Sequence, residues 1–157
     1  MAEYLMANGT RGYALRADIS APTSRVWTAL TEPVLLSRWL GVDVRIQPRK
    51  GGHISVTLAP GLTREATIDI FEPTRRMRLI YLPPPLLPAF DAAVVDDFLI
   101  GREEDSTVVR LLCSGVPTNE EWNAHFGQTR TAMERALVRL RVLVEQQGRM
   151  AAMDGTT

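Results

Sequence analysis

Residues 118–148 read TNEEWNAHFGQTRTAMERALVRLRVLVEQQG, and this stretch decides the architecture. Trp122, Phe126, Met133, Leu137, Leu140 and Val144 fall three, four or seven positions apart, which on a 3.6-residue repeat gathers them into one apolar stripe. Thr118 and Glu121 form a capping-box pattern, in which hydroxyl and carboxylate reach the exposed amides of a first helical turn, and Gln147-Gly148 marks the end. About 30 residues rising 1.5 Å each make a rod of ~45 Å, long enough to cross a whole sheet. A helix with one apolar face must lie on a comparable apolar surface.

The upstream sequence supplies that surface. Tyr13, Leu15, Ala17 and Ile19 alternate with Ala14, Arg16 and Asp18, the two-residue period of a strand covered on one face. Two short helices follow. The first has Pro22 in its first turn and buries Val26, Trp27 and Leu30; the second has Thr31 as candidate cap and Pro33 in its first turn, and buries Leu36, Trp39 and Leu40. Helices this short need a sheet to brace them. Residues 42–47 and 53–58 make a hairpin about a turn at 48–52, and Pro60-Gly61 turns the chain into a strand with Ala66, Ile68 and Ile70 on one face. A turn at 72–75 leads to a strand at 77–82. Four of the ten prolines then lie in 82–88, a stiff, exposed connection without the N–H groups of a strand ladder. Strands at 92–100 and 107–114, joined by a charged turn at 101–106, complete a count of seven. The expected fold is α+β: a curved, seven-stranded antiparallel sheet around the C-terminal helix, with room for a cavity between them.

Composition narrows the function. The 157 residues fit one domain, and 45% apolar with 23% charged residues is typical of soluble globular chains. Eighteen basic residues balance eighteen acidic ones, so no overall field favours nucleic acid or an anionic membrane as partner. Cys113 is the only cysteine, which excludes an intramolecular disulfide and a thiolate-rich zinc site and points to a reducing, cytoplasmic setting. Residues 1–12 form an N-terminal segment without the apolar run of a signal peptide or anchor, 13–147 the domain, and 148–157 a frayed tail.

Several spaced motifs carry a family likeness. Ile19-Ser20-Ala21-Pro22, then Val26-Trp27-Thr28-Ala29-Leu30-Thr31-Glu32-Pro33, then Arg38-Trp39-Leu40-Gly41 resemble the opening of the domain of the activator of heat-shock-protein-90 ATPase homologue family. Gly51-Gly52, Glu72-Pro73 before Arg76-Met77, Thr107, Ser114-Gly115 and Trp122 follow in that family's order. The resemblance spans roughly residues 13 to 146. It implies the helix-grip architecture of the START-like (SRPBCC) superfamily, which includes lipid carriers, polyketide cyclases and aromatases, hormone receptors, toxins and co-chaperone domains, and it implies a link to stress response.

Candidate site residues follow from the inward faces. Trp39, Ile54, Val56, Ile68, Ile70, Tyr81, Phe98, Leu111, Trp122, Phe126 and Met133 line either a pocket for an apolar or aromatic ligand or a packed core. Asp96 and Asp97 lie within a strand, so one of them faces the covered side, unless the strand starts late or the charge pairs with Arg110. Asp97, Tyr81 and Arg110 are the expected polar ligand contacts. His53 is expected at the solvent side and His125 at the cavity mouth or surface; two histidines are too few for a zinc triad, and no cofactor, metal or catalytic residue is expected. Arg75, Arg76 and Arg78 form a basic corner and Glu103, Glu104 and Asp105 an acidic one, either solvated turns or docking patches. The leading expectation is non-catalytic binding of a small hydrophobic or aromatic molecule. The alternatives are an interaction module modulating a chaperone ATPase, though without a second chaperone-binding domain, and a polyketide cyclase/aromatase-like enzyme using Asp97.

Overall fold

A computed structural model describes residues 2–5, 9–83, 87 and 93–153. Along the chain run β1 (Ala2–Leu5), β2 (Thr10–Ile19), α1 (Thr23–Thr31), α2 (Pro33–Trp39), β3 (Val42–Ile46), β4 (His53–Ala59), β5 (Leu62–Glu72), β6 (Arg76–Tyr81), β7 (Val95–Glu103), β8 (Ser106–Pro117), a 3-10 turn (Glu120–Trp122) and α3 (Asn123–Met153). The strands form one antiparallel sheet in the order β1-β2-β8-β7-β6-β5-β4-β3. β2 to β8 are the seven strands read from the sequence, and with two short helices after the first and the long helix last they make the expected α+β helix grip. β1 adds a short strand at the edge, residues 2–5 pairing with 11–14 of β2.

Local chemistry explains the bends. Register shifts at Arg11/Tyr13, Val42/Arg45, Thr57/Ala59 and Ile68/Ile70 each place one extra residue in a strand and sharpen its twist. The hairpin between β4 and β5 turns on Pro60-Gly61, with Gly61 at φ +77, a conformation glycine adopts without strain. Across the inner face, Leu15, Ile19, Ile54, Val56, Ile68, Met77, Leu79, Phe98, Val109 and Leu111 pack with Phe126, Met133, Leu137, Leu140 and Val144 of α3. Trp39 anchors α2 beneath them, its indole N–H donating to the Ala29 carbonyl at 2.7 Å.

Three helix boundaries differ from expectation. Thr118 does not cap α3: its hydroxyl donates to the Gly9 carbonyl at 2.9 Å, tying the helix start to the base of β2, and the 3-10 turn begins at Asn119 without a side-chain cap. Thr31 still belongs to α1, where its hydroxyl donates back to the Trp27 carbonyl, so Glu32 takes the N-cap position of α2. Gly148 does not end α3, which runs on to Met153; the Arg25 guanidinium lies where a side chain at 148 would stand. Residues 84–86 and 88 of the proline-rich connection and 154–157 of the tail lie outside the described residues.

The outer face carries charge in pairs. Arg76 pairs with Asp97 at 2.7 Å, Arg78 with Asp69 at 2.5 Å, Arg110 with Glu103 at 3.3 Å, and Arg16 with Asp18 and Glu103. Of the basic and acidic corners read from the sequence, Arg76, Arg78 and Glu103 are thus matched within the sheet. Among the described residues no helix is long and apolar enough to cross a membrane.

Candidate functional site

Strand register assembles a polar cluster on the inner face. Cys113 of β8 sits opposite Tyr13 of β2 on one side and Asp96 of β7 on the other, so the three stand side by side. Asp96 faces Leu79 of β6; Tyr81 lies two residues beyond Leu79 and opposite Ala66 of β5, and Arg64 lies two residues before Ala66. All five are near the end of the sheet where β2, β5 and β7 begin, β6 and β8 finish, and the first turn of α3 arrives. Arg11 fixes that arrival, donating to Asn123 Oδ1 at 2.7 Å with its guanidinium 4.4 Å from the Phe126 ring centre. This end is the mouth of the grip. Gly115, at φ +81 in the bulged part of β8, lets the chain pass close to it, since a Cβ there would strike the Ala93 carbonyl.

Arg64 Nη1 donates to Asp96 Oδ2 at 3.0 Å, and the Tyr81 hydroxyl donates to the same oxygen at 2.8 Å. The Arg64 guanidinium also lies 3.5 Å from the Tyr81 ring centre, a cation–π contact. Asp96 is 0% exposed and Arg64 6%, so this is a buried ion pair, held by mutual attraction against a large desolvation cost. Burial works against the Arg64 charge, but Tyr81 and Asp96 outweigh it and hold the guanidinium above its ordinary pKa. Burial, reinforced by the Asp96 charge, pushes the Tyr13 hydroxyl and the Cys113 thiol upward; burial also raises Tyr81. Both tyrosines and the cysteine are therefore protonated at neutral pH.

At this end Arg11 Nε, Asp96 Oδ1, Trp122 Nε1 and Thr129 Oγ1 are buried without a hydrogen-bond partner among the described residues, while the Tyr13 hydroxyl meets the Cys113 thiol. They come from both walls of the mouth. The Tyr13 ring meets Phe126 edge-on at 5.8 Å and Trp122 meets His125 edge-on at 5.5 Å, while Thr129 is one turn along the same helix face. Native interiors leave few such groups unpaired, because each forfeits its hydration without replacement. Deeper in, Leu30, Leu36, Trp39, Ile54, Met77, Phe98 and Met133 enclose, with Arg64 and Tyr81, a cavity of about 10 Å³, space for about one water. A larger guest requires side chains to move, and unbranched Met133 is the most adaptable of them.

Of the residues singled out in the sequence, Trp39, Ile54, Val56, Tyr81, Phe98 and Met133 line this cavity. Ile68, Leu111, Trp122 and Phe126 are buried in the adjoining core. Ile70, Asp97 and Arg110 are elsewhere. The extra residue at the Ile68/Ile70 shift turns Ile70 out of the inner row and puts Phe71 there against Trp27. Asp97 points away from the cavity, donated to by Arg76 Nε and Nη2 at 3.0 and 2.7 Å, and Arg110 pairs with Glu103 on the outer face. The inward acid is Asp96. Its parity with Phe98 carries that signal, as the parity of Arg64 with Ala66 and Ile68 places an arginine inside; Tyr13, Cys113 and Thr129 join them through cross-strand register and helix phase. His53 is on the solvent side, 3.7 Å from Glu65. No three His, Cys, Asp or Glu side chains among the described residues come together as a metal-ligand set.

His125 is partly buried, and burial together with the Arg64 charge lowers its pKa from 6.5 to about 4. Between those values the unfolded chain binds more protons than the folded one, so the stability this histidine confers is complete above pH 6.5 and is lost as pH falls toward 4. The urea midpoint of the protein is expected to fall more steeply from pH 6.5 to 4.5 than that of His125→Gln. Parallel declines in the two proteins would contradict this.

Comparison with known proteins fits the geometry. The family model described as "Activator of Hsp90 ATPase homolog 1-like protein" matches residues 20–145. No curated protein matches the sequence. Among solved structures, protein MLL2253 from Mesorhizobium loti aligns with a TM-score of 0.74 at 22% identity, covering 87% of this chain and 98% of that one. The Aha1 dimer from Colwellia psychrerythraea gives 0.70 at 20%, over 85% and 96%. CalU16 from Micromonospora echinospora gives 0.66 at 20%, over 92% and 83%. At these identities the likeness is one of fold.

Proposed function

The chain belongs to the activator of Hsp90 ATPase homolog 1-like family, and from that premise we propose that it binds a small hydrophobic or aromatic molecule, without catalysis, between the sheet and the first turns of α3. The observation that carries this reading is the set of buried, unpartnered polar atoms at the mouth of an otherwise apolar grip. A ligand that entered there would satisfy groups that are now desolvated and unpaired, so polar contacts would add to apolar burial. Covering ~200 Å² of apolar ligand surface yields about 5 kcal/mol before association costs, which makes those polar contacts decisive for useful affinity.

The protonation states favour binding over acid–base chemistry. Tyr13, Tyr81 and Cys113 are all displaced upward and His125 downward to about 4, whereas an effective general base has its pKa near the working pH. None of these four is tuned that way. The nearly filled interior also predicts slow association, since side chains must part before a guest enters.

A thermal-shift screen with lipids and aromatic compounds, followed by tryptophan fluorescence, tests the reading. Some compounds are expected to raise the melting temperature and to change the emission of Trp122, which stands in the wall of the mouth. If no compound in the library does either, the reading fails.

A further inference from the structure

An open groove separate from the grip runs between α3 and the tip of the β4–β5 hairpin, and the only side chain it shares with the inner cavity is Leu58. Its volume is about 300 Å³, room for a small organic molecule. The hairpin wall, residues 58–60 and 62, carries no charge. The helix wall presents Gln128, Thr131, Arg135 and Arg139, which fall three or four residues apart and so share one face of α3. Neither arginine meets a carboxylate. Arg135 makes no ion pair or hydrogen bond among the described residues, and Arg139 donates from Nε to the Trp39 carbonyl at 3.0 Å, which fixes its guanidinium at the groove. The helix supplies no acid to either, because the positions three and four away hold Thr131, Ala132, Ala136, Val138, Val142 and Leu143 besides the two arginines themselves. On another face of α3, by contrast, Arg130 has Glu134 at 3.5 Å. Like charges four residues apart repel one another along a helix, and an anion seated across both relieves that repulsion.

We propose that this groove binds small phosphate monoesters with an apolar body, the phosphate lying across Arg135 and Arg139 and the body against the hairpin wall. A monoester carries roughly two negative charges at neutral pH and so matches both guanidiniums; a carboxylate carries one and leaves a guanidinium unmatched. The guanidinium fork also takes phosphate oxygens two at a time. The Thr131 hydroxyl and Gln128 amide continue the row of donors beside them. Binding is non-covalent, and it is independent of any guest in the grip.

Three probes separate head from body: phenyl phosphate, inorganic phosphate and benzoate. Amide NMR titrations of the full chain are expected to show phenyl phosphate binding at least tenfold more tightly than either of the others, with the shifts concentrated in residues 58–62 and 128–139, and weakening as salt is added. Arg135→Gln removes an exposed side chain without a partner and is expected to weaken binding about tenfold. Ala132→Glu places the missing acid three residues before Arg135 and is expected to abolish binding. The control Arg149→Gln, at an exposed arginine of α3 outside the groove, is expected to change nothing. Failure of phenyl phosphate to bind would overturn the proposal, as would equal binding of inorganic phosphate or benzoate, equal losses in Arg135→Gln and Arg149→Gln, or shifts confined to other residues. Sedimentation with dioleoyl phosphatidate vesicles is expected to leave the protein in the supernatant; co-sedimentation lost in Arg135→Gln would assign the groove to a lipid headgroup and overturn the small-molecule assignment. None of these outcomes bears on the grip, whose reading stands or falls by the thermal-shift screen.

Discussion

Asp96→Ala is expected to destabilise the protein by about 3–5 kcal/mol, the cost of leaving a buried charge without its partner. Asp96 is fully buried, and removing its carboxylate deprives Arg64 Nη1 and the Tyr81 hydroxyl of their shared acceptor. Arg64 cannot simply reach solvent, because its guanidinium is stacked on Tyr81 within the wall of the inner cavity. The double replacement Arg64→Met with Asp96→Leu removes both charges at similar volume and is expected to recover most of the loss, since apolar packing often substitutes for a buried ion pair at little cost. Urea denaturation of the two single variants and the double variant measures the coupling directly. A loss below about 1 kcal/mol in Asp96→Ala would mean that Arg64 escapes to water, and the account of the mouth as a closed, charge-balanced site would be wrong.

Trp39→Ala should have an effect of similar size, about 3–5 kcal/mol, for a different reason. The indole is 1% exposed, lines the inner cavity, and donates to the Ala29 carbonyl, thereby joining α2 to α1. Its removal opens a void next to the existing one and leaves a buried acceptor unpaired. The surrounding side chains are held by the sheet on one side and α3 on the other, so they cannot collapse fully into that space. Indole added to the variant is therefore expected to raise its melting temperature while leaving that of the unmodified protein unchanged. A small loss of stability together with no response to indole would show that the inner end of the grip repacks freely.

The fold was legible because its signals are periodic. The stripe from Trp122 to Val144 and the alternation in β2, β4 and β5 depend on the shape of each element alone, and the seven strands and three helices all form. The helix boundaries were less so, because hydroxyls at Thr31 and Thr118 have more than one carbonyl or amide within reach, and tertiary contacts choose among them. The site was legible only in part. Trp39, Ile54, Val56, Tyr81, Phe98 and Met133 follow from strand and helix phase, but one inserted residue near Asp69 reverses the faces beyond it, and no residue type announces such a bulge. Asp97 was the acid expected inside, yet parity with Phe98, a cue present in the sequence, points to Asp96, which is the one the sheet buries. The pairing of Asp96 with Arg64, 32 residues away, depends on the register of β5, β6 and β7 together and has no local signature.

The central claim is that the unpartnered atoms at the mouth are a ligand's contact set. An atomic-resolution crystal structure of the full chain soaked with a compound that raises its melting temperature tests it most directly. The account predicts the ligand between the sheet and the first turns of α3, with a polar atom within hydrogen-bond distance of Asp96 Oδ1, Trp122 Nε1 or Thr129 Oγ1. A soaked crystal in which these atoms are instead paired with other protein groups, and the mouth holds no ligand, would contradict it.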